Sequence, residues 1–347
     1  MKINGRSIGL DQPPYVIAEL SANHNGSLER ALAIIHAAKQ AGADAVKLQT
    51  YRPDTITLDS DRPEFMIHGG LWDGKRLYDL YQWAHMPWEW HAPLFALGKQ
   101  LGITVFSSPF DFTAIDLLAD LDAPAYKIAS FEAIDLPLIR YAAQTGKPLI
   151  ISTGMANERE IGAALETAHK HGCGDVALLH CVSGYPAPAE EYHLATIPDM
   201  RQRFGVEVGL SDHTLGSATA VAATALGATL LEKHFTLSRA DGGPDSAFSM
   251  EPAELSQLVM DTRTAWSALG APRYSLSASE QSNIQFRRSL YLVKDVAAGE
   301  RLTAAHVRSV RPGLGLPPAD YDRVINAVAR RNLAANTPLC WEDLERI

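Results

Sequence analysis

Eight short apolar runs punctuate the chain, at residues 16–19, 45–49, 104–107, 125–128, 149–152, 177–180, 208–211 and 230–233, with little polar alternation inside them. Strands read this way when both faces are buried, as in a parallel sheet covered by helices. The stretches between the runs carry helical signals. After the first run, Ser27 can cap a helix whose Leu28, Leu32 and Ile35 fall on one stripe, and Gly42 can end it before the next strand. Eight such units, with no GxGxxG after the first strand, predict an α/β protein built on a closed (β/α)8 TIM barrel rather than an open doubly wound sheet.

Two segments depart from this rhythm. The connection from Tyr51 to about Leu101 is much longer than the others and holds Trp72, Tyr78, Tyr81, Trp83 and Trp88. It follows a strand, so it belongs to the face where barrel enzymes do their chemistry, as a lid or wall against a ligand or as an aromatic mini-core holding a long loop down. Beyond Gly270 the texture changes to a polar stretch and then a compact tail. The division expected is a barrel over 1–274, a linker over 275–285 and a small C-terminal domain over 286–347.

Composition narrows the partners. The 347 residues are 46% hydrophobic and 20% charged, enough for one large core and a second small one. A formal net charge of -9 argues against nucleic acid or an anionic membrane as the main partner. Any anionic ligand must therefore meet a local cationic pocket. Residues 286–347 carry ten Lys/Arg against seven Asp/Glu, so a basic tail rides on an acidic body and can dock on it in the same chain or a neighbouring one. Cys173, Cys181 and Cys340 are scattered and odd in number, as expected of reduced thiols in a cytoplasmic protein. No signal-peptide core or bilayer-length apolar run is present, and the Asn25-Gly26-Ser27 sequon is expected to stay unmodified.

The candidate chemistry sits at the ends of the apolar runs. His213 and His234 lie just past two successive strands, and imidazoles at adjoining strand ends can share a divalent metal while leaving positions for substrate oxygens. The alternative for each is a core imidazole satisfied by backbone or carboxylate. His180 has similar placement one strand earlier, where packing is the expected role. Lys47 and Lys127 end different strands. A buried lysine without a partner costs several kcal/mol, so the two either hold an anion between them or pair with Glu19, Glu132 or Glu232 in a buried network. Hydroxyls of Ser130, Ser152 and Ser211 would add neutral donors suited to phosphate or carboxylate oxygens.

These residues fall in recognisable strings: Ile17-Ala-Glu-Leu-Ser-Ala-Asn-His-Asn-Gly26, Lys47-Leu-Gln-Thr50, Phe106-Ser-Ser-Pro-Phe110, Tyr126-Lys-Ile-Ala-Ser130, Ser152-Thr-Gly154, Gly209-Leu-Ser-Asp-His-Thr214, Glu232-Lys-His234 and Gly242-Gly-Pro-Asp-Ser246. The chain resembles the sialic acid (nonulosonate) synthases, which condense phosphoenolpyruvate with an amino sugar, and its tail resembles their antifreeze-protein-like SAF domain. Leu20-Ser-Ala-Asn23, Gly69-Gly-Leu-Trp-Asp-Gly74 and Pro87-Trp-Glu-Trp90 look most like the pseudaminic acid branch.

The resemblance implies a transferase with a divalent metal (Mn2+, Mg2+ or Co2+) on His213 and His234. It implies phosphoenolpyruvate held by Lys47, Lys127, Ser130, Ser152, Ser183 and Ser211. Glu19, Gln49, Tyr185 and Asp245 would lie near the sugar, a 2,4-diacetamido-2,4,6-trideoxy-altropyranose, with Glu19 also a candidate for proton transfer. Arg311 would be inserted from a partner in a domain-swapped homodimer. An N-acetylneuraminate or legionaminate synthase, a metal-dependent barrel aldolase and a non-catalytic carbohydrate-binding protein remain the alternatives.

Overall fold

The computed structural model describes residues 1–345, which divide into two compact units, Met1–Gly270 and Ala271–Ile347. In the first, eight parallel strands close a barrel: β1 (Tyr15–Glu19), β2 (Ala45–Thr50), β3 (Thr104–Pro109), β4 (Tyr126–Ile128), β5 (Leu149–Ser152), β6 (Val176–Cys181), β7 (Glu207–Asp212) and β8 (Leu230–His234). Each pairs with its sequence neighbour, and β8 closes the ring on β1 with His234 opposite Glu19. Each of the eight expected runs overlaps one of these strands.

Helices α1 (Leu28–Ala41), α2 (His91–Leu101), α3 (Phe112–Asp120), α4 (Leu136–Ala143), α5 (Glu158–Lys170), α6 (Thr196–Phe204), α7 (Ala218–Ala225) and α8 (Pro252–Leu269) follow the strands in turn. Local chemistry starts and stops them. The Ser27 hydroxyl accepts the Arg30 N–H at 3.2 Å at the start of α1, and Gly42, at φ 91°, ends that helix in a left-handed turn that a Cβ would strain. Asp111 and Asn157 cap α3 and α5 through side-chain oxygens in the same way.

The strand period of two divides each strand between two cores. Outward residues such as Val16, Val46, Val105, Ile151, Leu178 and Leu210 pack under the helices. Inward residues Ile17, Ala45, Phe106, Ala125, Ile150, Leu179 and Leu230 fill the barrel, joined by Ile3 and Ile8 of an N-terminal hairpin that covers the end where the strands begin. Gly209 serves this interior by having no side chain, since a Cβ there would collide with the Leu230 carbonyl and with Leu179.

The second unit holds a β-ribbon of β9 (Ser289–Leu292) and β10 (Val307–Val310) around a core that includes Leu290, Leu292, Leu302, Val324 and Leu339. Arg311 follows β10 and is exposed.

Candidate active site

Continuing the inward register by two or four residues turns the barrel lining from apolar to polar. Ile17 gives way to Glu19, Ala45 to Lys47 and Gln49, Ala125 to Lys127, Ile150 to Ser152, Leu179 to Cys181, Gly209 to Ser211, and Leu230 to Glu232 and His234. The carboxyl ends of the strands therefore converge on one polar floor, the location of active sites in TIM-barrel enzymes. A cavity of about 780 Å³ opens there. Its lining includes Glu19, Lys47, Gln49, Lys127, Ser130, Ser152, Ser183, Tyr185, Ser211, His213, His234 and Asp245, the barrel residues that the resemblance assigns to metal, phosphoenolpyruvate or sugar, but not His180.

Charge is concentrated at the centre. Lys47 Nζ lies 2.9 Å from Glu232 Oε1 and 3.2 Å from Glu19 Oε2, while Lys127 Nζ lies 3.6 Å from the same Glu232 oxygen. Both lysines are thus in the buried network considered as an alternative, yet its charges are unequal. Burial pushes the Lys127 ammonium down to about 8 despite the pull of Glu232. Burial opposes ionisation of Lys47 too, but Glu19 and Glu232 outweigh it and hold the lysine charged. Burial likewise raises the Glu19 carboxyl to about 7 against the attraction of Lys47. Lys127 is therefore the cation that an arriving anion would stabilise most.

Next to it is a cradle of small groups. The Gly154 N–H donates to Ser130 Oγ at 3.2 Å, and a Cβ on Gly154 would run into the hydroxyls of Ser183 and Ser130. The Ser152 hydroxyl is buried with no hydrogen-bond partner. Buried polar atoms are rarely left unpaired, so this one is available to donate to a ligand oxygen.

The two histidines stand on adjoining strands, as β7 and β8 pair directly. Their ring centroids are 5.4 Å apart. Val182 accepts from His213 Nδ1 at 2.8 Å, which turns Nε2 toward the cavity, and the Tyr192 hydroxyl accepts the His213 backbone N–H at 2.7 Å. His234 Nδ1 is buried without a partner, and burial together with the neighbouring His213 and Lys47 holds its ring well below the usual imidazole range. A neutral ring with a free nitrogen is the form that binds a metal. Among the described residues no group of three or more His, Cys, Asp or Glu converges as a cation cage. His180 is otherwise engaged: its Nε2 lies 2.5 Å from the Tyr192 carbonyl, in keeping with a packing role.

A hydrogen-bonded relay joins the residues expected near a sugar. Gln49 Nε2 donates to Glu19 Oε1 at 2.8 Å and to Ser21 Oγ at 2.9 Å, and the Ser21 hydroxyl donates to Asp245 Oδ2. Tyr185 lies against His213 at 4.4 Å between ring centroids. Tyr192 and Gly154 were given no role from the sequence, whereas Glu132, considered there only as a lysine partner, carries a carboxyl that burial raises to about 7. The unpartnered carboxylate oxygen of Glu132 and the glycine following Ser152-Thr153 are visible only once the loops are placed.

Comparison with known proteins gives a consistent picture. Residues 34–274 match the NeuB family and residues 287–345 the SAF domain. The chain is 46% identical over 337 residues to the pseudaminic acid synthase of Helicobacter pylori, covering 96% of this chain and 99% of that protein. It is 45% identical over 335 residues to the pseudaminic acid synthase of Campylobacter jejuni, covering 96% and 98%. Among solved structures, the N-acetylneuraminic acid synthetase of Leptospira borgpetersenii in complex with citrate superposes with a TM-score of 0.73 at 31% identity, covering 83% of this chain and 95% of that one. Among the described residues no helix is long and apolar enough to cross a membrane.

Proposed function

The chain belongs to the NeuB family, and from that premise and the geometry of the barrel mouth we propose that it acts as a pseudaminic acid synthase, a cytoplasmic enzyme condensing phosphoenolpyruvate with 2,4-diacetamido-2,4,6-trideoxy-β-L-altropyranose and water. The observation that carries this reading is the meeting, in one cavity, of an under-neutralised lysine pair with a cradle of hydroxyls and a pair of adjoining histidines.

In this scheme Lys47 and Lys127, with Ser130, Ser152, Ser183 and Ser211, hold the phosphate and carboxylate of phosphoenolpyruvate. A divalent cation (Mn2+, Mg2+ or Co2+) bound by His213 and His234 would supply Lewis acidity toward the aldehyde oxygen of the open-chain sugar. Gln49, Tyr185 and Asp245 orient that sugar. Carbon 3 of phosphoenolpyruvate attacks the aldehyde carbon, and Glu19, with a carboxyl raised to about 7, is the candidate to pass a proton to the resulting alkoxide. Water adds at carbon 2. The tetrahedral adduct collapses by breaking the carbon 2–oxygen bond, so inorganic phosphate leaves, its charge met by the lysines, and the 2-keto acid remains.

Assembly enters the same proposal. Phe112, Phe131, Ile134, Met155 and Leu215 follow strand ends around the mouth and are exposed. Such a rim favours cover by a second copy of the chain, with Arg311 of its C-terminal unit completing the sugar site.

Phosphate release should require phosphoenolpyruvate, a divalent cation and the diacetamido sugar together. No lysine Schiff base takes part, so borohydride added during turnover should trap no adduct. A trapped lysine, or turnover without phosphoenolpyruvate, would replace this scheme with a barrel aldolase.

A further inference from the structure

The cavity has two chemically distinct sets of walls. The strand ends supply the polar set. The other comes largely from the insert between β2 and α2, which contributes Tyr51, Ile56, Ile67, Trp72, Leu80 and Tyr81. Among the described residues this insert places no lysine or arginine on the cavity, and its one imidazole there is His68. Its lysine and arginines are held elsewhere: the Arg52 guanidinium lies 3.9 Å over the Trp88 ring, Arg62 pairs with Glu64, Lys75 Nζ lies 4.9 Å over Trp83, and Arg76 pairs with Asp59, Asp61 and Asp79.

The segment 66–76 is an ordered hairpin rather than a slack loop. Met66 and Arg76 form a β-bridge, the Gly74 N–H donates to the Ile67 carbonyl at 2.9 Å, and the Gly69 N–H donates to Asp73 Oδ1 at 2.6 Å. Half-buried Trp72 ties it across the mouth. Its indole N–H donates to the Pro244 carbonyl at 3.1 Å, directly before Asp245, and its ring lies 6.0 Å from Tyr185, which stacks on His213. One tryptophan thus connects the insert to both loops that carry residues assigned to the sugar.

We propose that this hairpin and the adjoining helix Leu77–Ala84 form the wall that reads the acceptor, with Trp72 as its specificity-determining residue. The wall selects an uncharged sugar carrying methyl or acetamido groups away from its aldehyde, and rejects a sugar bearing a phosphate ester there. The inference rests on the synthase reading above. A phosphate ester needs cations or converging N–H donors, because leaving buried charge unpaired is costly. Among the described residues the lysines on the cavity are Lys47 and Lys127, which the synthase reading assigns to phosphoenolpyruvate. Apolar groups, by contrast, gain from contact with Ile56, Ile67 and Leu80.

Steady-state kinetics on the full-length protein with Mn2+ tests this. Trp72→Ala should raise the KM for the diacetamido sugar roughly tenfold or more while the KM for phosphoenolpyruvate stays within about twofold. Trp72→Phe, which keeps a ring but loses the indole N–H, should fall between. Ile67→Arg, adding a cation to the wall, should narrow the preference for the diacetamido sugar over N-acetylmannosamine 6-phosphate, measured as kcat/KM. An unchanged acceptor KM in Trp72→Ala, equal rises in both KM values, or efficient use of the 6-phosphate by the unmodified protein would overturn the wall proposal. Failure of the unmodified protein to release phosphate from phosphoenolpyruvate with the diacetamido sugar would instead overturn the synthase reading on which it rests.

Discussion

A single lysine illustrates how the barrel mouth is tuned. Lys127 is buried beside one carboxylate that it shares with Lys47, and its ammonium titrates near 8. An anion bound there favours the charged form and raises that value. Phosphoenolpyruvate affinity is therefore expected to be full below about pH 8 and to weaken as the pH climbs through it, because each free site must first take up a proton. The KM for phosphoenolpyruvate measured from pH 7 to 9.5 should rise through that window, and a flat profile would remove Lys127 from the anion site. His213→Ala and His234→Ala should each abolish turnover while leaving the circular dichroism spectrum unchanged, and retained activity in both would refute the metal pair. These strand-end residues were legible in the sequence because the register of two puts the polar positions on the inside once the strands are found. Tyr192 and Gly154 were not, since each acquires its meaning from neighbours that only the closed barrel brings near.

At the level of elements, the β6–α6 connection is more than a link. It supplies Val182, whose carbonyl fixes the His213 tautomer, Tyr185, which packs on the ring, and Tyr192, whose hydroxyl receives the His213 backbone N–H. Tyr192 is fully buried and is a positioning residue. Outer partners of metal ligands typically contribute 10–100-fold in metal affinity. Tyr192→Phe should accordingly raise the Mn2+ concentration needed for half-maximal activity by roughly that factor, with kcat restored at excess metal. Loss of activity that excess Mn2+ fails to restore would point to a structural role instead. The eight strands and the first helix with its caps could be read from local pattern, whereas the hairpin 66–76 could not. Its glycines and polar residues mark a turn, and only the bond from Trp72 to Pro244, across 172 positions, makes it a wall.

For the molecule as a whole, the chain divides into two compact units, Met1–Gly270 and Ala271–Ile347. Which barrel the second unit serves depends on association, and local pattern carries no signal for that. If Arg311 works in trans, Arg311→Ala and His213→Ala chains, each inactive alone, should regain activity when co-expressed, because mixed dimers hold one complete site. Absence of complementation in verified mixed dimers would place Arg311 in its own chain's site. The central claim is that one cavity joins phosphoenolpyruvate to a diacetamido sugar, and product mass tests it most directly. With phosphoenolpyruvate, Mn2+ and either 2,4-diacetamido-2,4,6-trideoxy-altrose or N-acetylmannosamine, the mass of pseudaminic acid and an equal amount of phosphate should appear with the diacetamido sugar. A product formed from N-acetylmannosamine alone, or from neither sugar, would contradict it.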